Sequence, residues 1–166
     1  MAMTLLRPAQ DADLDAILAI HNDAIAHSRA IWTDAPVDRA EREEWLQTRR
    51  AAGHPVIVAD VEGVVAGYAS YGPWRPKSGY RYTVEDSIYL DGRFRGRGIG
   101  GLLLGELIGL ARGAGMRVMI ADIESGNTAS IRLHERFGFE HAGTLRHVGT
   151  KFGDRLDLAI LQLPLD

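Results

Sequence analysis

Arg95-Gly96-Arg97-Gly98-Ile99-Gly100-Gly101 sets four glycines in seven residues directly ahead of an apolar helical pattern. Without Cβ atoms this backbone can come very close to a ligand. The free N–H groups of a helix start, with the helix dipole, make an anion site. Arg95 and Arg97 add positive charge, and a pyrophosphate is the natural occupant. The plain alternative is a glycine-rich turn that holds nothing. Two nucleotide motifs can be weighed. The Walker pattern is absent, because no Gly-Lys-Ser/Thr follows. G-x-G-x-x-G is formally present as Gly96, Gly98 and Gly101, with Asp122 at the end of the next strand. A dinucleotide fingerprint follows its strand immediately, however, whereas Asp91 to Arg95 intervene here. Too little chain remains after Asp122 for the rest of a dinucleotide fold.

Working outward, Tyr82 to Leu90 reads as the strand before the loop and Ile99 to Arg112 as the helix after it, ended by Gly113 and Gly115. Val118 to Ile123 is a buried-type strand, and a strand–helix–strand unit pairs in parallel through a right-handed crossover. Upstream, Thr4 to Arg7 is a short strand, and Asp11 to Ile25 carries Leu14, Ile17, Leu18 and Ile25 at helical spacing. Val37 to Arg50 is a second helix, with Asp38 and Glu41 as a capping pair. Val56 to Val61 and Val64 to Tyr71 form a hairpin about Glu62-Gly63. Residues 72–79 form a loop. Downstream, Asn127 to Phe137 is a helix closed by Gly138, and strands lie near Gly143 to Val148 and Leu156 to Leu163. The economical arrangement is an α/β (α+β) chain with one mixed sheet covered by helices.

The chain has 166 residues, 46% hydrophobic and 25% charged, as expected for one globular domain. Disorder, collagen and coiled coil do not fit. No run of roughly 18 apolar residues spans a membrane, and Met1 to Pro8 lacks a secretory pattern. With no cysteine, disulfides, thiolate metal sites and cysteine nucleophiles are excluded, and a cytoplasmic location is expected. A net charge of −3 offers no general attraction for nucleic acid or anionic lipid. The histidines show no metal pattern, since His134-Glu135 is not followed by a histidine at position 138. No metal is expected.

Arg95, Gly98 and Gly100, read as R-x-x-G-x-G, resemble the acetyl-CoA signature of the GNAT N-acetyltransferase family. Asn127-Thr128-Ala129-Ser130-Ile131-Arg132-Leu133-His134-Glu135-Arg136-Phe137-Gly138-Phe139 is similar to that family's second motif. Thr83-Val84-Glu85, Ser87-Ile88-Tyr89, the His134-Glu135 pair and Val148-Gly149-Thr150-Lys151-Phe152-Gly153 resemble its phosphinothricin and methionine sulfoximine acetyltransferase branch. The resemblance covers nearly the whole chain. It implies one N-acetyltransferase domain over 1–166, built on a mostly antiparallel twisted sheet with about four helices.

The resemblance also implies acetyl-CoA as co-substrate and a small amino acid as acceptor. The segment 95–101 would hold the pyrophosphate: Arg95, Gly96, Arg97, Gly98, Ile99, Gly100 and Gly101. Backbone groups of Ile88, Tyr89 and Leu90, on a strand splayed from its neighbour, would meet the pantetheine arm and thioester. Asn127 would cap its helix and bond the pantetheine amide. An amine must lose its proton to attack, and Glu85 is the candidate base; its plain reading is an exposed strand glutamate. His134 stands where the family often has a tyrosine. It is either a proton donor to the leaving thiolate or a polar helix residue. Trp74, Arg75, Pro76, Lys77 and Arg81 crowd a loop suited to carboxylate or oxyanion recognition, with Thr83 and Ser87 nearby; the plain reading is a solvated loop. A homodimer is implied too. Rival readings are a transferase for a protein N-terminus or another amine, and a module that senses acyl-CoA without turnover. Gly101, Gly105, Gly109 and Gly113 form a smooth helix stripe suited to packing on a sheet or a partner chain.

Overall fold

The computed structural model describes residues 2–166. Strands β1 (Thr4–Pro8), β2 (Val56–Val61), β3 (Val64–Pro73), β4 (Thr83–Leu90), β5 (Val118–Glu124), β6 (Glu140–Lys151) and β7 (Asp154–Pro164) form one sheet in the order β1-β2-β3-β4-β5-β7-β6. Every neighbouring pair is antiparallel except β4 and β5. Helices α1 (Leu14–His27), α2 (Arg39–Ala51), α3 (Ile99–Gly113) and α4 (Thr128–Arg136) cover it.

Alternation along the strands divides the apolar residues between the two faces. One face packs Leu103, Leu104 and Leu107 of α3 against Met119 and Leu161. The other packs Leu14 and Ile17 of α1 and Leu46 of α2 against Val58 and Tyr68. At the start of α2, Asp38 accepts from the Glu41 N–H at 2.9 Å, so the capping pair forms and the helix begins at Arg39 rather than Val37. Asn22 clasps Val37 through two 2.9 Å bonds and ties the connection between α1 and α2.

The last two strands run longer than the residue pattern suggests. Phe152 and Gly153 take φ of 52° and 81° between paired Lys151 and Asp154. That is a tight two-residue hairpin, hidden in the sequence because phenylalanine is a poor marker for positive φ. Two register shifts in β6 then break the period-two pattern. The first half of the glycine stripe packs on α4's end rather than on the sheet. A Cβ on Gly101 or Gly105 would lie 3.8 or 3.3 Å from Phe137, so this half admits the aromatic ring that follows α4, while Gly109 and Gly113 face open space. Among the described residues no helix is long and apolar enough to cross a membrane.

Candidate active site

The parallel ladder between β4 and β5 is short. It pairs Thr83, Val84 and Glu85 with Val118, Met119 and Ile120, and then stops. β5 continues along β7 to Glu124 while β4 continues along β3 to Leu90. The strands therefore part immediately beyond Glu85. The Asp91 N–H donates to Ala66 O at 2.9 Å and the Trp74 N–H to Thr83 O at 3.3 Å, so odd-numbered residues of β4 bond to β3. Even-numbered ones turn their backbone the other way, as the 2.8 Å bond from the Arg117 N–H to Tyr82 O shows at the strand's start. Ile88 and Leu90 thus direct N–H and C=O groups into the opening. Tyr89, expected to act through its backbone as well, has that backbone turned to Tyr68 and lines the opening with its side chain.

The opening leads into a cleft of about 530 Å³ that Ile88, Tyr89, Leu90, Arg95, Gly96, Gly100, Asn127 and His134 line together. Sequence reasoning missed its far wall, Ser28 to Ala30 after α1, because no motif marks those residues. The glycine-rich segment suits a bulky anion. Gly96 and Gly98 have φ of 74° and 79°, and nothing lies within 4 Å of a Cβ built on either. The first intrahelical bond of α3 is Leu102 N–H to Gly98 O at 3.2 Å, and no side chain caps the N–H groups before it. The other residues of the segment divide their roles. The Ile99 side chain is 2% exposed and belongs to the core, so only its backbone faces outward. A Cβ on Gly101 would point to Leu133 and Phe137, while its N–H is one of those that precede the first intrahelical bond. Arg97 lies 5.1 Å over the Phe94 ring rather than on the cleft wall. Asn127 caps α4, accepting from the Ser130 N–H at 3.2 Å.

His134 is buried, 4% exposed, and both ring nitrogens are engaged. Nδ1 bonds the Ser130 carbonyl at 2.7 Å and Nε2 bonds Asp86 Oδ2 at 2.8 Å. Burial opposes the charged ring, but the hydrogen bond and charge of Asp86, with the Ser130 carbonyl, outweigh it and raise the His134 pKa. No nitrogen is left for a thiolate. Asp86 was not singled out from sequence; strand alternation turns it away from Glu85 onto the α4 face, where the histidine meets it.

Glu85 lies on the other face, with Asp122 and two cations. Burial, then the Asp122 and Asp86 carboxylates, push its pKa up to about 7, against the pull of Arg49 and Arg75. This is the range a general base needs near neutral pH. Arg75 lies 4.6 Å over the Trp74 ring, and Trp74 meets Tyr80 edge-on at 5.3 Å. Pro76 and Lys77 are exposed in the same loop, and Thr83 and Ser87 are half-buried on the Glu85 side of β4. Arg49 of α2, unremarked in the sequence, reaches this cluster from 36 residues upstream of Glu85. No local signal announces that contact. Among the described residues no group of His, Asp or Glu is arranged to hold a metal ion.

Known proteins share this architecture. The chain is 54% identical to an L-methionine sulfoximine/L-methionine sulfone acetyltransferase of Pseudomonas aeruginosa over 97% of its length and 94% of that protein's. A phosphinothricin N-acetyltransferase of Alcaligenes faecalis is 40% identical over 97% of this chain and 82% of its own. The solved structure of YncA from Salmonella typhimurium, with its cofactor acetyl-CoA, superposes with a TM-score of 0.97 at 47% identity, covering 99% of this chain and 95% of that one. Residues 17–139 match the sequence profile described as the Acetyltransferase (GNAT) family. The parted strands, the open glycine-rich helix start and these likenesses agree, and the chain belongs to the acetyltransferase (GNAT) family.

Proposed function

We propose that the chain is a single N-acetyltransferase domain over 1–166 that moves the acetyl group of acetyl-CoA onto the α-amine of a small amino acid. Methionine sulfoximine, methionine sulfone and phosphinothricin-like compounds are its acceptors. The observation that carries this reading is the parting of β4 from β5 just beyond Glu85, which opens the cleft lined by Ile88, Tyr89 and Asn127 right after the strand position of that carboxylate.

Acetyl-CoA supplies an acetyl thioester, whose carbonyl carbon forms the new C–N bond as its C–S bond breaks. The uncapped N–H groups at the start of α3, with Arg95, hold the pyrophosphate, and Asn127 steadies the pantetheine arm. N–H groups of Ile88 and Leu90 aim at the thioester oxygen as it gains charge. Glu85 takes the proton of the acceptor's ammonium, and its raised pKa keeps that proton transfer balanced near pH 7. A thiol pKa is about 8.5, so the thiolate leaves without a strong acid and takes a proton from solvent. His134 then serves as the fixed partner of Asp86. Arg75 and Lys77 face acid groups of the acceptor, with Trp74 as an apolar wall beside Thr83 and Ser87. The enzyme works in the cytoplasm as a homodimer, without nucleic acid, membrane or metal.

Release of free CoA tests the reading across common amino acids, methionine sulfone, methionine sulfoximine, phosphinothricin and a peptide with a free N-terminus. Turnover is expected with the amino acids and not with the peptide. Turnover on the peptide alone would assign a protein acceptor, and acetyl-CoA binding with no turnover on any amine would assign a sensor.

A further inference from the structure

We propose that Arg49 binds the α-carboxylate of the acceptor and so restricts the enzyme to amino acids. The proposal rests on the amino-acid reading above and names the group that enforces it.

Gly72 stands directly opposite Glu85 in the β3–β4 pairing. A Cβ built on Gly72 would fall 1.9 Å from Arg49 Nη1, 2.4 Å from Cζ and 2.7 Å from Nη2. The guanidinium therefore occupies the volume that any other residue at 72 would fill. Directly opposed residues of an antiparallel pair project side chains to the same face, with Cα atoms about 5 Å apart. Arg49 consequently lies beside Glu85 on the sheet, though no carboxylate comes within ion-pair distance of it among the described residues.

Its neighbour on the same helix behaves differently. Arg42 lies 4.6 Å over the Trp45 ring and is paired with Glu41 at 2.5 Å. Arg49 lies 5.8 Å from the same ring, and its buried Nε has no hydrogen-bond partner among the described residues. Burial and the neighbouring Arg42 oppose its charge, and the Glu85 carboxylate supports it. A half-buried cation of this kind is incomplete without an anion. The carboxylate of an α-amino acid fits, because it is bonded to the same carbon as the amine. With the amine at Glu85, the carboxylate is delivered next to it, where the planar guanidinium can take both oxygens. Arg75, out on the loop, is left to face acceptor groups further from the α-carbon.

Two substitutions test this independently. Arg49→Gln removes the charge. Gly72→Ala leaves Arg49 in the chain but forces the flexible end of its side chain away. Each should raise the KM for methionine sulfone by about 10- to 100-fold, the range for losing a charge-assisted hydrogen bond, with a smaller change in kcat. The KM for methionine sulfone α-amide, already poor in the wild type, should hardly move. Arg49→Gln with Gly72→Ala should be no worse than Arg49→Gln alone, and Arg49→Lys should fall between. The acetyl-CoA Kd and the melting temperature report whether each variant is folded. An equal rise in KM for acid and amide would make Arg49 a packing residue and overturn the proposal. So would an unchanged KM for the acid in variants of a wild type that turns over amino acids. A wild type that acetylates no amino acid would instead sink the functional reading, and this inference with it.

Discussion

His134 Nε2 lies 2.8 Å from Asp86 Oδ2, and both side chains are almost fully buried between α4 and β4. With Nδ1 donating to the Ser130 carbonyl, the second bond places a proton between imidazole and carboxylate, favouring imidazolium beside carboxylate. His134→Ala leaves the Asp86 charge buried and unpaired, and should destabilise the fold by about 3–5 kcal/mol. Asp86→Asn should cost less, because a neutral Nε2 can accept from the new amide. Chemical denaturation of the two variants checks the order.

The same pair sets a pH dependence. The His134 pKa is raised above its ordinary value of 6.5. The stabilisation it provides is thus fully present below pH 6.5 and is lost as pH rises through the folded-state pKa. The C–H resonances of the His134 ring should titrate above the usual histidine range. Asp86→Asn should bring that titration down. An unshifted His134 in the wild type would refute the charged pair.

Glu85 carries the opposite burden. Held near pH 7 by burial and by Asp122, it is protonated in the folded chain where the unfolded chain has it ionised. The native state then binds more protons between about pH 4.5 and 7, so this group's effect is to lower stability as pH rises through that window. Glu85→Gln should melt higher than the wild type at pH 8 and lose that advantage towards pH 4.5. Turnover should move the other way. It should fall about 10²- to 10⁴-fold at pH 7 and recover partly at higher pH, where solution supplies the neutral amine. A variant that keeps wild-type turnover at pH 7 would move the base to water.

Within the glycine-rich segment, Gly98 and Gly100 answer differently to substitution. Space is open at Gly98, whereas a Cβ on Gly100 lies 3.3 Å from Leu133. Gly98→Asp should abolish acetyl-CoA binding with the fold kept, since aspartate tolerates positive φ and its charge opposes the pyrophosphate. Gly100→Asp should lose stability as well as binding. Calorimetry with thermal melts separates the two. Unchanged affinity in Gly98→Asp would refute the phosphate site.

β6 forms a sheet edge twelve residues long, with Leu145 and Val148 47% and 54% exposed on it and Phe152 57% exposed in the turn that follows. Such an edge invites a partner. Light scattering at micromolar concentration should report twice the mass of the chain, and a monomeric mass would refute the homodimer.

Much of the architecture was legible in the residues because it depends on short-range periodicity. Helical stripes, the Glu62-Gly63 turn, the glycine loop and the Asp38–Glu41 cap each occupy a few consecutive positions, and local backbone chemistry dictates them. The sequence also marks Glu85, Asn127 and the 95–101 segment as candidates. What it leaves open is which residues meet across the sheet. Asp86 and His134 are 48 positions apart, and Arg49 and Glu85 are 36. Only strand register turns adjacent Glu85 and Asp86 to opposite faces, gives one a cation cluster and the other a histidine, and fits a guanidinium over Gly72. Charge state follows from those meetings, because burial and neighbouring charges set it, and both are properties of the packed chain rather than of any stretch of it.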